Sequence, residues 1–547
     1  MYNTNSQKQR IIKCDGWMLL AIALTVFISL PIISLIFKAF TADQSVINGW
    51  VKSGIIWDYT WRTLALMFGV GVLSAIVGVF MAWVVAYCRF PLKKYLDFAA
   101  LFPFIMPAWI AAWCWKDFLD YAGPWHNFMK KLAAIGLPIT PNNWVIPLNN
   151  LGGAIFILAF STFPYVYLLC RTAFKQQSAS LFESARSLNA TPLQAFFRVS
   201  LPLVRPALAA SVLIVMMEVL NDFGTVKYFS IPVLSLGIED AWINRASPGA
   251  AAALSMLALL IALFLVTGEQ LSRSHMRNFA QNESYRNTEA YHFTGFKGWG
   301  ISLLFFIPIA IGFILPFIVI LRATLRRLDR FYDWGRILEA SLTSVILAAL
   351  AACFAVILAS LLVWAAKNSR AKSIRLWVRL SSLGYAIPGM VLAAGVLIPA
   401  GVIDKALPWG ITIVGSSALL IYGWVARFLS IAIGNMDAGF SRIRSSMVDS
   451  GRSLGLSQWG VLTKIYTPLL RSFMLTAGIM VFIDSLKELA IALLVRPFNM
   501  ELLSLYVWQY GSMEQLEDAA PGSMILILVG VIPVLILWKR LSRVQPK

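Results

Sequence analysis

The residues best placed to do chemistry are four carboxylates lodged in otherwise apolar sequence. Glu218 and Asp222 stand four apart, so a helix would put both on one face. Asp484 and Glu488 repeat the arrangement 266 positions later. Carboxylates in such surroundings are costly to bury and invite a functional reading. Four together would suit a hard cation that prefers oxygen ligands. The bland alternative is an internal ion pair, of Asp484 or Glu488 with Lys487 or a nearby arginine, or solvation at a helix end. Other chemistry is thinly supplied. Cys14, Cys88, Cys114, Cys170 and Cys353 form no C-x-x-C pair, and His126, His275 and His292 have no ligand spacing. No glycine is followed by lysine anywhere, so a phosphate-cradling loop of the G-x-x-x-x-G-K-[ST] type is excluded.

The elements that must carry these carboxylates are apolar runs. Of 547 residues, 59% are hydrophobic and only 13% are charged, too few to cover the surfaces of soluble domains. The runs fall at about 17–40, 62–87, 96–118, 151–170, 204–223, 248–270, 299–321, 337–366, 376–400, 409–431, 473–495 and 522–538. At roughly 20 residues per crossing, they predict an all-α polytopic membrane protein with about twelve transmembrane helices. The first run lacks a small-residue cleavage site and reads as an uncleaved span. Glu218, Asp222, Asp484 and Glu488 would then line a translocation path toward the outer ends of their spans.

An even number of spans leaves both termini on one side. A net charge of +20 sets the orientation: Lys8, Arg10, Lys13, Arg89, Lys93, Lys94, Lys367, Arg370, Lys372, Arg375, Lys539, Arg540 and Arg543 all fall inside if the termini are cytoplasmic. The 496–521 loop, with Glu501, Glu514, Glu517 and Asp518 against Arg496, faces outward. The basic excess is thus a topology signal, and no nucleic-acid partner is expected. One loop disagrees: Arg322, Arg326, Arg327, Arg330 and Arg336 would be external. Trp113, Trp115, Trp125 and Trp144 are expected as interfacial anchors. Pro103, Pro107, Pro388 and Pro399 are expected to kink the third and ninth spans.

The chain is duplicated. Glu183-Ser-Ala-Arg-Ser-Leu-Asn189 parallels Asp449-Ser-Gly-Arg-Ser-Leu-Gly455, and at the same offset Leu201-Pro202 meets Thr467-Pro468. Upstream, Trp83 pairs with Trp364, Arg89 with Arg370 and Pro107 with Pro388, all 281 apart. The reading is two parallel six-helix repeats: residues 1–270, a polar linker over 271–298, and residues 299–547. Each cytoplasmic motif predicts a short capped helix, with boxes at Ser180–Glu183 and Ser446–Asp449. Gly455, or Asn189 less comfortably, should end that helix in a left-handed conformation. Thr191 and Ser457 should cap a second helix, which Pro202 and Pro468 would interrupt.

This pattern resembles the EAA loop of importer-type ABC permeases, over 183–202 and 449–468. The matching positions are Glu183, Ala185 and Pro202 in copy one, and Asp449, Gly451, Gly455 and Pro468 in copy two. Asn189 replaces a glycine, and Asp449 and Gly451 replace glutamate and alanine. The resemblance implies that these positions fit a cleft in a separate cytoplasmic ABC ATPase, two copies of which would supply the energy. No cofactor is expected on this chain, since ATP would be used by that partner. Glu218-Val-Leu-Asn-Asp-Phe-Gly224, with Lys487-Glu-Leu-Ala490 and Leu494-Val-Arg-Pro-Phe498, further resembles the fused two-half permeases of ferric-iron importers. Relatives importing aminoethylphosphonate, thiamine or polyamines share much of this pattern. The implied protein is an inner-membrane permease that receives solute from a periplasmic binding protein. An ion-driven secondary transporter would leave the twin loops without purpose, and no His, Asp or Ser constellation supports a membrane-embedded enzyme.

Overall fold

The structure is a computed structural model that describes residues 16–42, 44–121, 123–135, 146–175, 177, 191–279, 291–326, 334–369, 371, 373–408 and 412–543. It is helical apart from one two-residue parallel strand pair, Cys88–Arg89 with Tyr291–His292. Among the described residues, ten helices are long and apolar enough to cross a membrane, or eleven if one sharply bent pair is a single span.

Two of the twelve expected runs account for the difference. The 96–118 run is no straight helix: its chain turns by 99° between Lys93–Phe104 and Ala108–Ala134. Pro107 sits at the break with extended ψ, so no helical ladder continues through it. The 522–538 run lies within the 28-residue helix Leu516–Arg543, whose last turns fall partly outside the residues with described side chains. Pro388 repeats the Pro107 geometry, with φ −53° and ψ 138° against −57° and 134°. Pro399, by contrast, lies inside the unbroken helix Gly389–Ala406, and Pro103 sits in a 3-10 turn.

The described chain forms two compact units that cut across the sequence repeats. One contains Met1–Ala42 and Leu338–Leu503; the other contains Asp43–Ile337 and Ser504–Lys547. The leading helix of the first repeat, Gly16–Phe40, therefore packs with second-repeat residues. Ser34 Oγ donates to the Gly395 carbonyl at 2.7 Å, and Tyr422 OH donates to the Phe27 carbonyl at 2.5 Å. The leading span of the second repeat, Gly295–Arg326, packs likewise among first-repeat residues. Ser302 Oγ reaches the Pro91 carbonyl at 2.8 Å, and Trp115 Nε1 reaches the Ile311 carbonyl at 3.1 Å. In the absence of water, small hydroxylated residues let helices approach and still satisfy their polar atoms. Ser74 shows this between Ile55–Tyr87 and Leu151–Lys175, bonding the Ala159 carbonyl and Thr162, each at 3.2 Å.

The expected linker, 271–298, includes residues with regular structure at both ends. Its first residues continue the helix Pro248–Phe279, and Tyr291–His292 pairs with Cys88–Arg89 before the next helix starts at Gly295. The tryptophans are also reassigned. Trp113 and Trp115 are buried in helix packing, so they do not serve as interfacial anchors; Trp144 lies outside the described residues.

Candidate functional site

The second motif, residues 449–468, is described in full. Its first helix, Ser445–Ser453, is preceded by Arg444 at the cap position, and no side-chain cap forms there. The box expected at Ser446–Asp449 is therefore absent, because the helix starts two residues too early for it. The helix ends as the sequence requires: Gly455 has φ +83°, a conformation that costs a residue with a Cβ about 1–2 kcal/mol. Gly455 N bonds the Arg452 carbonyl and Leu456 N bonds the Gly451 carbonyl, the paired closure of a glycine-terminated helix. Ser457 then caps Gln458–Val461, accepting from Gly460 N at 3.1 Å. Asp449 is exposed, as are Met447, Leu454 and Trp459, so the motif presents a mixed acidic and apolar surface.

In the first motif, Glu183, Ala185 and Asn189 lie outside the described residues. From Thr191 onward the chain is described again. Thr191 and Gln194 cap each other reciprocally, Thr191 N to Gln194 Oε1 at 3.0 Å and Gln194 N to Thr191 Oγ1 at 3.3 Å. Pro202 and Pro468 do not interrupt the helices that carry them. A five-residue π turn precedes each, Phe196–Ser200 and Leu462–Tyr466, 266 positions apart. Widening the turn accommodates a residue with no N–H to donate and a ring that crowds the preceding turn. The spans then run on unbroken to Asn221 and Lys487.

An aromatic group leans on the start of each of these spans. Trp17, at the start of the leading helix, lies 6.0 Å from Trp364 and 5.9 Å from Trp459, and its indole donates to Gln458 Oε1 at 3.1 Å. In the other unit, Trp83, the repeat partner of Trp364, meets Phe196 at 5.5 Å and Tyr291 at 6.2 Å. The leading span of the opposite sequence repeat thus reaches the second motif directly through Trp17, whereas Tyr291, just before the other leading span, reaches the first only through Trp83. Spacing alone could not show this pairing.

At their far ends both spans break at the expected carboxylates. Asp222 has φ −69° and ψ 127°, and Glu488 has φ −68° and ψ 121°. Each caps a new short helix. Asp222 accepts from Thr225 N at 3.0 Å and Val226 N at 3.3 Å, and from Thr225 Oγ1 at 3.0 Å. Glu488 accepts from Ile491 N at 2.9 Å and Ala492 N at 3.1 Å. Glu488 also takes hydrogen bonds from Trp424 Nε1 at 3.3 Å and Arg427 at 3.1 Å. It is only 6% exposed, and this buried pair is the ion-pair alternative named from the sequence. Glu218 and Asp484 lie one helical turn earlier and are half-buried. Among the described residues, no three His, Cys, Asp or Glu side chains come together as a metal site.

The helices that start after Pro107 and Pro388 press against these breaks, and glycine makes the approach possible. A Cβ on Gly224 would lie 2.6 Å from Trp109 Cβ; one on Gly389 would lie 1.9 Å from the Arg427 guanidinium. Sequence reading missed Arg427, although a lone arginine inside the 409–431 run was a usable signal. It also missed Asp97 and Arg171, a buried pair at 2.6 Å to which Tyr167 OH adds a hydrogen bond.

Comparison with known proteins places this geometry. The family model described as "Binding-protein-dependent transport system inner membrane component" matches residues 15–274 and again 353–545. The Fe(3+)-transport system permease protein FbpB 2 of Haemophilus influenzae is 24% identical over 87% of this chain and 89% of its own length. The probable ABC transporter permease protein y4fN of Sinorhizobium fredii is 22% identical over 98% of each chain. The molybdenum transport system permease protein ModB of Escherichia coli is 26% identical and matches 40% of this chain but 96% of itself, as a single copy of the repeat would. The duplicated match covers most of the sequence, so the chain belongs to the inner-membrane permease family of binding-protein-dependent ABC importers: a multi-pass transport protein that works with a binding protein and is not itself an enzyme.

Proposed function

We propose that this permease imports ferric iron. The observation that carries the reading is the similarity to a Fe(3+)-transport permease along nearly the full length of both chains. A second ferric-type permease, also from Haemophilus influenzae, is 24% identical over 82% of this chain. The acidic residues Glu218 and Asp484 fit a path for a hard cation, since carboxylate oxygen is the ligand such a cation prefers. Asp222 and Glu488 support the path differently, by fixing where each span ends.

In this reading the chain has twelve spans with both termini cytoplasmic, and it docks two cytoplasmic ATPase subunits that use the ATP. Residues 183–202 and 449–468 are the docking segments. The exposed Asp449, Leu454 and Trp459 offer a protein partner both charge and apolar area. Gly455 and Ser457 fix the docking helix rigidly to the span Gln458–Lys487. That span has 30 residues, about 45 Å of helix, so a push at its cytoplasmic end reaches Glu488 without a flexible joint.

The test is uptake of radiolabelled ferric iron into proteoliposomes holding this chain and its co-purifying ATPase, with iron-loaded binding protein outside. Uptake that requires ATP and all three components is the expected result. Glu218→Gln with Asp484→Gln should lower uptake at least tenfold while ATPase still co-purifies. ATP hydrolysis with no iron movement would refute the substrate; unchanged uptake in the double variant would refute the path.

A further inference from the structure

Each repeat follows its broken span with a short helix, and the two copies fasten that piece differently. Two long helices face the spans, Leu151–Lys175 in the first repeat and Ser417–Phe440 in the second. They start 266 residues apart, the same offset as the spans Leu201–Asn221 and Thr467–Lys487 that they pack along. Residues at that offset therefore hold equivalent places in the two repeats.

In the second repeat the facing helix reaches across to the break. Trp424 and Arg427 both donate to Glu488, which in turn caps the helix Ala490–Val495. Gly389 belongs to this anchor, since a Cβ there would collide with the guanidinium. The equivalent residues of the first repeat are Leu158, Ser161 and Ala108. Leucine has no side-chain proton to donate. Ser161 is 7% exposed, and its Oγ has no hydrogen-bond partner. Among the described residues, the Asp222 carboxylate takes hydrogen bonds only from Thr225 and Val226, which it caps.

The piece beyond Asp222 is instead braced within itself. Lys227 binds both Glu239 oxygens, at 2.9 and 2.7 Å, and Ser235 Oγ donates to the Asp222 carbonyl at 3.3 Å. None of these bonds reaches Leu151–Lys175. A further polar tie recurs in both copies: Thr63 Oγ1 accepts from Leu234 N at 3.0 Å, and Ser344 Oγ, 281 residues later, accepts from Leu503 N at 2.7 Å. Trp109 meets Gly224 through apolar contact, which is non-directional and lets surfaces slide. Separating Arg427 from Glu488 would leave buried charges with little water to receive them.

We propose that the two repeats move unequally in transport, with Arg427 as the positioning residue that sets the difference. The piece beyond Asp222 shifts against its facing helix as one braced body. The piece beyond Glu488 stays with Ser417–Phe440, so a push along Gln458–Lys487 carries that helix with it. The inference does not depend on which solute is carried.

Double electron–electron resonance on the full chain, with its co-purifying ATPase and binding protein in lipid nanodiscs, measures both movements. Spin labels go on Ser230→Cys with Gly152→Cys in the first repeat, and on the equivalent Arg496→Cys with Ala418→Cys in the second, after Cys14 and Cys353 are replaced by serine. On trapping the ATP-bound state, the first distance should shift and the second should stay within the spread of its labels. Ser161→Arg with Ala108→Gly and Asp222→Glu rebuilds the second repeat's anchor in the first. It should abolish the first shift and lower transport per ATP hydrolysed while the ATPase still co-purifies. Equal shifts in the two pairs, a shift in the second pair alone, or none in either would overturn the proposal. So would a rebuilt anchor that assembles and leaves the first shift intact. If that variant does not fold, the two labelled pairs decide the matter by themselves.

Discussion

Glu488 and Asp222 occupy equivalent places in the two repeats, yet their removal should have unequal cost. Glu488→Ala removes a helix cap and strips Arg427 of its carboxylate. Arg427 is 9% exposed, and its Nε has no hydrogen-bond partner, so the guanidinium would be left charged and nearly dry. Breaking a buried pair from one side costs about 3–5 kcal/mol, most of it the stranded charge. Asp222→Ala removes backbone and threonine hydrogen bonds only, since no Lys or Arg is paired with Asp222 among the described residues. A lost cap costs about 1 kcal/mol. Both variants lose a cap, so the expected gap is the stranded charge itself, about 3–5 kcal/mol, between two carboxylates with almost the same backbone geometry. Thermal unfolding of the full chain in lipid nanodiscs, at one fixed scan rate because such unfolding is irreversible, should show a much larger loss of midpoint for Glu488→Ala. Glu488→Leu combined with Arg427→Leu should recover at least half of that loss, since no charge is then stranded. Equal shifts for the two alanine variants, or no recovery in the double variant, would refute the assignment of Glu488 as an ion-pair anchor.

Three further outcomes rest on the same geometry. Gly224→Ala should destabilise the protein by about 1–3 kcal/mol, because the new Cβ meets Trp109 Cβ rather than the tip of a flexible side chain; the midpoint of the same thermal scan checks it. Gly455→Ala should weaken ATPase co-purification while lowering stability by only about 1–2 kcal/mol, since the strain is confined to an exposed helix end. Trp17→Ala and Tyr291→Ala should each lower transport per ATP hydrolysed at unchanged binding-protein affinity, and either variant at full coupling would show that its aromatic contact is packing alone.

What the sequence made legible is what recurs along the chain. Apolar runs announce spans because an unpaired backbone group cannot remain in hydrocarbon, and the offsets of 266 and 281 announce the duplication. Gly455 and Ser457 were readable because one needs a left-handed backbone and the other an oxygen near free amides, and both needs are local. Partnership was not legible. Arg427 and Glu488 are 61 residues apart, and Trp17 and Gln458 are 441 apart, so neither contact leaves a periodic trace. Proline misled for a related reason. Its missing donor is a local fact, but whether the helix breaks, as beside Pro107, or widens by a π turn, as before Pro202 and Pro468, depends on what the flanking turns pack against.

The repeats also separate what duplication preserves from what it releases. The π turn, the extended carboxylate, the short capped helix and the proline-led helix beside it recur at matching positions in both copies. These are backbone devices: the carboxylate break, the short capped helix and the proline-led helix mark where helices start or stop, and the π turn lets a span run on past its proline. The side chains that lock them differ: Trp109 fills the space beside Gly224, whereas Arg427 fills the space beside Gly389. Copy one buries its own charge pair elsewhere, at Asp97 and Arg171. A transporter of two identical halves would need only one solution to each packing problem. A fused chain is free to solve each one twice, so long as both halves keep the same joints.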